Sequence, residues 1–150
     1  MATTFNLYDL WRDSVADPAR SAAIAGTLKM AIVTAAYTVN QNTHDFWDDA
    51  SASEVSGTGY TAGGNACASP TWTGPDGSGL LTFDADDPAT WAQDPGGFTN
   101  GRRAILYYDT GTGSTSRLVG YSADFGADIG NVAGNLSITL NASGIYTAAR

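Results

Sequence analysis

The chain has 150 residues, with 15 Asp or Glu against 7 Lys or Arg, which gives a net charge of −8. This length fits one domain and is sufficient for an ordinary hydrophobic core. Proteins that bind duplex nucleic acid need clustered Lys and Arg, and the only adjacent basic pair is Arg102–Arg103. An acidic chain is also poorly suited to an anionic membrane surface. We therefore expect neither nucleic acid nor membrane as a partner.

The sequence carries no signal for export or membrane insertion. Its first ten residues lack a basic segment followed by an apolar run, so a signal peptide is not expected. The longest apolar stretch, residues 30–37, is far shorter than a membrane span. Cys67 is the sole cysteine, which excludes an intrachain disulfide. The sequence predicts a soluble protein that is made in a cytoplasm.

Residues 1–26 are predicted to form an N-terminal helix and a connector. Aromatic and apolar residues recur at helical spacing within residues 5–15, namely Tyr8, Trp11 and Val15. Thr4 or Asn6 can cap this helix, and Asp17-Pro18 should end it because the residue before proline avoids helical geometry. Residues 19–26, rich in Ala and Ser, are read as the connector.

Residues 27–37 form the first strong strand pattern. Leu28, Met30 and Ile32 fall on one face, and Lys29, Ala31 and Val33 on the other. One face is clearly apolar and the other is mixed, which is typical of a strand that is covered on both sides or that faces a partner.

A short helical turn is predicted over residues 44–49. Thr43 can cap it, and acidic residues in its first turn are favourable there. Phe46 and Trp47 would anchor this turn in the core or in an interface.

The remainder of the sequence consists of short strand patterns separated by Gly, Pro, Asn and Asp turns. The strand candidates are residues 53–64, 67–72, 80–83, 90–91, 102–109, 116–124, 136–140 and 145–147. The turn candidates are residues 74–77, 94–97, 110–114 and 141–144. The fold prediction is a mainly β, single-domain antiparallel β-sandwich or barrel of seven to nine strands over residues 27–150, with one N-terminal helix and one internal helical turn.

No pattern in the sequence indicates catalysis. His44 is the only histidine, no Gly-x-Ser-x-Gly elbow is present, and neither Gly57-x-Gly59 nor Gly111-x-Gly113 continues as a nucleotide-binding motif. Two groups of acidic residues could supply oxygen ligands to Ca²⁺: Asp45, Asp48 and Asp49, and Asp84, Asp86 and Asp87. Because Asp is also preferred in turns and helix caps, we interpret both groups as turn and cap residues. We expect no catalytic residues, no cofactor, no metal site and no enzymatic activity.

Three segments resemble a known family. Residues 30–47 read MAIVTAAYTVNQNTHDFW, residues 53–64 read SEVSGTGYTAGG, and residues 104–126 read AILYYDTGTGSTSRLVGYSADFG. In this order and spacing they resemble a widespread group of small virion proteins of tailed bacteriophages. The resemblance extends from about Thr27 to Tyr146, with residues 18–26 and 70–97 departing from the usual form. It implies a component of the phage particle and brings no catalytic or ligand-binding residues with it.

A small, acidic, β-rich domain without a fibrous region suits a capsid decoration (cement) protein on the outer surface of the virion. Its expected partners are the major capsid protein and copies of itself, as a homotrimer or another homo-oligomer. Interface hot spots favour Trp, Tyr and Arg, and the candidate anchors are Trp11, Phe46, Trp47, Arg102 and Arg103. The N-terminal arm is the expected capsid clamp, because chain ends can order on binding.

Two alternatives remain open. One is a tail, neck or head-fibre component, which is also structural. The other is a surface carbohydrate-binding module built on aromatic side chains; the candidates for such a platform are Tyr60, Trp72, Trp91, Tyr107, Tyr108 and Tyr121.

Overall fold

The computed structural model describes residues 3–15, 26–74, 77 and 79–149. Its fold is mainly β, with two antiparallel sheets and two short α-helices in this part of the chain, which confirms the predicted fold class. The predicted connector lies almost wholly outside the described residues, as do Pro75 and Asp76 of the predicted turn at 74–77.

The elements follow one another in a simple order. They are β1 (Phe5–Leu7), α1 (Asp9–Val15), β2 (Thr27–Thr34), α2 (Asp48–Ser51), β3 (Asn65–Ala66), β4 (Thr71–Thr73), β5 (Leu80–Asp84), β6 (Gly101–Asp109), a 3₁₀ turn (Gly113–Thr115), β7 (Leu118–Ser122) and β8 (Tyr146–Ala149). Five strands form one sheet in the order β1-β7-β6-β2-β3, and three form the other in the order β4-β5-β8. Neither helix is long and apolar enough to cross a membrane.

Strands β2 and β6 form the centre of the larger sheet. They pair antiparallel from Thr27 opposite Asp109 to Thr34 opposite Gly101. Leu28, Met30 and Ile32 point into one buried cluster, and Ala31 and Val33 into a second cluster on the opposite face. The predicted strand covered on both sides is therefore confirmed, and its apolar residues on both faces drive burial of this strand.

The main core lies between the two sheets. Phe83 of β5 packs against the face of the larger sheet that carries Leu28, Met30 and Leu106. Trp11 of α1 lies in the same cluster, with its ring centroid 5.6 Å from those of Phe83 and Tyr108. The N-terminal segment thus supplies part of the core of the domain.

The predicted helix over residues 5–15 is wrong in its first half. Residues Phe5–Leu7 form an edge strand that pairs with β7, from Phe5 opposite Ser122 to Leu7 opposite Gly120. The helix begins only at Asp9, so neither Thr4 nor Asn6 caps it. Unpaired backbone groups along β7 are satisfied by this strand, and Phe5 is buried at the same time, which outweighs the local helical spacing.

Other predictions also need correction. The strand pattern at residues 53–64 forms only an isolated bridge at Glu54. In place of one strand at residues 67–72 there are two short strands, β3 before this range and β4 beginning at Thr71.

The internal helical turn occupies residues 48–51, with Trp47 at its N-cap, so Thr43 lies outside the turn and does not cap it. The Asp49 carboxylate accepts hydrogen bonds from the backbone N–H groups of Asp45 and Phe46. Residues 136–140 alternate in burial as predicted, but they form no continuous strand; Leu136 makes an isolated bridge to Trp91.

Candidate interaction site

The five predicted interface residues do not form one surface. Trp11 is 0% exposed and stacks on Tyr108 inside the core. In this fold, no part of its side chain is available to a partner. Its role in the single chain is to fill the space between the two sheets.

Phe46 and Trp47 anchor the segment that covers the second face of the larger sheet. The Trp47 ring stacks on Tyr107, with centroids 4.4 Å apart and planes 9° from parallel, and Trp47 is 8% exposed. The backbone N–H of Trp47 donates to the carbonyl of Ser116 at 2.8 Å. Phe46 remains half-buried and makes an isolated bridge with Arg117. Of the two, only Phe46 retains appreciable surface for a partner.

Arg102 and Arg103 are adjacent on β6, so their side chains leave the sheet on opposite faces. The Arg102 guanidinium binds Asp124 at 2.7 Å and Asp128 at 3.4 Å. Hydrogen bonding to Asp124 raises the pKa of Arg102, and the Gly126 N–H followed by Arg102 lowers the pKa of Asp124. Arg103 donates to the Ser122 carbonyl at 2.8 Å. Both cations therefore already have partners within the chain.

The glycine-rich segment 53–64 is held by Glu54. One carboxylate oxygen of Glu54 accepts hydrogen bonds from the Tyr60 hydroxyl and the Gly63 N–H, both at 2.7 Å. The Tyr60 oxygen in turn accepts the Ile32 backbone N–H at 3.0 Å. This chain of bonds joins the loop to the central strand β2.

Glycine at position 64 is required by the same packing. Its φ is +73°, and a Cβ there would collide with the carbonyl of Met30. Any side chain would push the loop away from β2, so the Gly63-Gly64 pair allows a close approach of two backbones.

The surroundings of Glu54 superficially resemble a catalytic acid site. Burial raises the pKa of Glu54, while the hydrogen bonds from Tyr60 and Gly63 act in the opposite direction. Lys29 lies close by but pairs with Asp109 at 2.7 Å, and this contact lowers the pKa of Asp109. Tyr107 donates its hydroxyl proton to the Gly63 carbonyl at 2.8 Å. The arrangement fastens a loop, because its polar groups bind one another.

His44 belongs to a second network, which ties the loop at residues 37–44 to the N-terminal segment. The hydroxyls of Tyr8 and Tyr37 are hydrogen-bonded 2.8 Å apart, and the Tyr37 hydroxyl lies 2.9 Å from Nδ1 of His44. Gln41 donates to Asp9 at 3.1 Å and accepts the Tyr121 hydroxyl at 2.9 Å. The contact between Tyr8 and Tyr37 was not predicted, since nothing in their spacing in the sequence indicates it.

Members of the predicted acidic groups accept hydrogen bonds from backbone N–H groups. Asp84 accepts its neighbour's N–H at Ala85, and Asp87 accepts the Leu140 N–H at 2.7 Å. The bonds of Asp84 and Asp49 are local, as expected of turn and cap residues, whereas Asp87 binds a residue 53 positions away. Within residues 3–15, 26–74, 77 and 79–149, no group of three or more His, Cys, Asp or Glu side chains is arranged to hold a metal ion.

The three segments that carry the family resemblance meet in one structural unit. Glu54 bridges Val33 of β2, and the Val55 N–H donates to the Ile32 carbonyl at 3.0 Å. Trp47 stacks on Tyr107 of β6. In comparisons with known proteins, no family model, curated protein or solved structure matches this chain. The resemblance therefore depends on the motifs, and the structure assigns each motif a role in building the larger sheet and its cover.

The aromatic platform of the carbohydrate alternative is largely absent from the surface. Trp91 is 1% exposed and stacks on Tyr60, and Tyr107 and Tyr108 are buried. Trp72 is half-buried beside Phe83 and Tyr146. A sugar ring would find no flat array of exposed rings among these residues.

The role of Glu54 can be tested by two substitutions. We expect Glu54→Ala to lower the free energy of unfolding by about 2–3 kcal/mol, because it leaves the Tyr60 hydroxyl and the Gly63 N–H without their acceptor. Glu54→Gln keeps an acceptor oxygen and should change it by less than about 1 kcal/mol at pH 7. Equal losses in the two variants, measured by urea unfolding, would contradict this role.

The same pair predicts a pH dependence. The pKa of Glu54 is raised in the folded state, so the folded protein binds a proton more tightly than the unfolded chain does. The resulting stabilisation is complete below the ordinary pKa of about 4.3 and is lost as the pH rises through the raised pKa. The unfolding free energy of the wild type should therefore increase relative to Glu54→Gln as the pH falls from about 7 to 4. Taking the difference between the two proteins removes the opposite contributions of Asp109 and Asp124.

Proposed function

We propose that the protein is a structural component of a tailed-phage virion, and specifically a capsid decoration protein on the outer surface of the head. The observation that supports this most is the convergence of residues 30–47, 53–64 and 104–126 in one scaffold. Glu54, Tyr60 and Tyr107, three polar residues of these motifs, bind one another or the backbone. This supports a structural role for the family-like part of the chain.

Partners of this unit would be the major capsid protein and further copies of the chain, as a trimer or another homo-oligomer. Residues 70–97, which depart from the usual form of the family, supply β4 and β5 of the smaller sheet. A shared scaffold with a divergent sheet fits a protein whose contacts must match one particular capsid. Phe46 remains the best capsid anchor among the predicted residues, because its aromatic ring is still partly exposed.

The placement is tested by quantifying the protein in purified virions. A decoration protein should be present at a copy number comparable with that of the major capsid protein, and cryo-EM should place it across capsomer joints. A copy number matching one ring would favour the tail or neck alternative instead. Absence from purified particles would overturn the proposal.

Capsid binding by the recombinant protein tests the anchor. We expect Phe46→Ala to weaken co-sedimentation with particles lacking the protein by about tenfold or more, as for an aromatic hot spot. Phe125→Ala is the matched control, since Phe125 is also a half-buried aromatic residue but lies after β7. Equal binding by the two variants would exclude Phe46 as the anchor.

A further inference from the structure

The edges of the two sheets differ in how well they are protected against pairing with another chain. In the larger sheet the edge strands β1 and β3 have three and two residues. In the smaller sheet β4 has three residues, while β8 at the opposite edge has four. Short edge strands limit unwanted pairing, so β8 is the longest open edge among the described residues.

Strand β8 carries neither a charged side chain nor a proline, the residues that often block an exposed edge; β1, β3 and β4 carry none either, so β8 differs from them in length. The sequence of β8 is Tyr-Thr-Ala-Ala. Within the described part of the chain, its only strand neighbour is β5. The three strands of this sheet carry one charged side chain, that of Asp84. Asp84 follows Phe83, the residue that pairs with Tyr146, and therefore lies outside the part of β5 that is paired with β8.

This distribution of charge allows a second copy to approach the edge. Two chains that each carry a net charge of −8 repel one another through most of their surfaces. Approach along β8 brings together backbone groups and uncharged side chains, so the like charges stay apart. A cationic partner would gain nothing from this edge.

The register of the smaller sheet indicates how two copies would align. Thr73 lies opposite Thr82, and Thr82 lies opposite Thr147, so one threonine from each strand forms a row across the sheet. Thr73 and Thr147 are exposed on its outer face. Antiparallel pairing with Thr147 opposite Thr147 would extend this row through both copies, and such cross-strand Thr pairs are favourable.

We propose that β8 pairs with β8 of a second copy around a two-fold axis at Thr147, which joins the two three-stranded sheets into one six-stranded sheet. This inference rests on the proposed function, since it specifies how copies of a virion protein contact each other. Backbone hydrogen bonds supply the attraction, and the threonine row sets the register. The contact is small, so its strength in the particle would come from many copies held side by side.

Cysteine crosslinking of the purified protein tests the pairing directly. Residues directly opposite in antiparallel strands have Cβ atoms about 4.5–5.5 Å apart, close to the distance that a disulfide needs. Under mild oxidation, Thr147→Cys should give covalent dimers at a rate at least about tenfold above that of Thr71→Cys, because pairing raises the local thiol concentration. Thr71 is an exposed threonine on β4, at the opposite edge of the same sheet, and is the matched control.

The wild type provides the background, because Cys67 is 1% exposed and burial raises its pKa to about 12. Equal crosslinking of the two variants would overturn the β8 pairing. That result would leave the proposed function standing if the protein is found in virions. Conversely, rapid crosslinking of a protein that is absent from virions would support the pairing and reject the function.

Discussion

Replacing Trp11 with alanine should lower the free energy of unfolding by about 3–5 kcal/mol, the range for large buried aromatic residues. The side chain is 0% exposed and lies between Phe83 of the smaller sheet and Tyr108 of the larger one. Its removal leaves a cavity where the two sheets meet. Chemical denaturation followed by circular dichroism would measure the change.

Two further variants make this prediction specific. Trp11→Phe should cost clearly less, because the indole N–H of Trp11 has no hydrogen-bond partner among the described residues and an apolar ring can replace most of the contacts. Arg12→Ala, at the next position, removes an exposed side chain and its ion pair with Asp9, and we expect at most about 1 kcal/mol. Similar losses for Trp11→Ala and Arg12→Ala would contradict the packing described.

The same experiment separates two roles for the N-terminal segment. If Trp11 were an anchor for the capsid, its truncation would weaken capsid binding and leave the stability of the isolated chain unchanged. The buried position of Trp11 predicts instead that truncation lowers the stability of the isolated chain, and that capsid binding falls only as a consequence. The aromatic character of Trp11 was recognised in the sequence, but a buried core residue and an interface hot spot have the same composition, so only the fold distinguishes them.

The central strands could be predicted from the sequence because their signals are local. Residues 27–34 and 101–109 carry apolar runs of a length that a strand buried on both faces requires, and the glycine-rich turn after Asp109 marks the β6–β7 hairpin. The predicted strand at residues 80–83 was also recovered within one residue. In each case the pattern that predicts the strand is also the one that buries it.

The edges could not be predicted, because an edge strand depends on a partner that is distant in sequence. Residues 5–7 pair with residues 120–122, and the helical spacing that they share with α1 gives no indication of this. Residues 136–140 show the reverse case, in which alternation is present without a continuous neighbouring strand. Alternation of apolar and polar residues indicates that one face is buried, but a strand also needs hydrogen-bond partners for its backbone N–H and C=O groups.

The polar networks were largely invisible for the same reason. Glu54 and Tyr60 are six residues apart, yet their function in the fold is completed by the backbone of Ile32, which is 28 residues from Tyr60. The contact of His44 with Tyr37, and through Tyr37 with Tyr8, depends on the docking of the N-terminal segment. Side-chain hydrogen bonds to a distant backbone leave no periodic trace in a sequence.

Asn131 is the most important residue of this kind. It is 0% exposed, and its side chain lies where three loops meet. The amide nitrogen donates to the carbonyls of Ala92 and Thr58, at 2.9 and 3.3 Å, and the amide oxygen accepts the Phe98 N–H at 3.0 Å. The absence of a side chain at Gly97 makes room for it, since a Cβ there would collide with the Asn131 amide. One amide thus satisfies backbone groups that strand pairing leaves without partners.

Asn131→Leu should therefore lower the free energy of unfolding by about 2–4 kcal/mol, although leucine has a similar volume and is more apolar. The cost arises because the Phe98 N–H and two carbonyls lose their partner inside the protein, where water cannot replace it. Asn131→Asp should also be destabilising, because a carboxylate has no proton to donate to Ala92 and Thr58. Asn135→Ala is the matched control: Asn135 is exposed and accepts a single bond from the Gln93 N–H, so its loss should cost less than about 1 kcal/mol. If Asn131→Leu unfolded at the wild-type urea concentration, burial of the leucine side chain would have to compensate for all three bonds, and the loops would be held by packing alone.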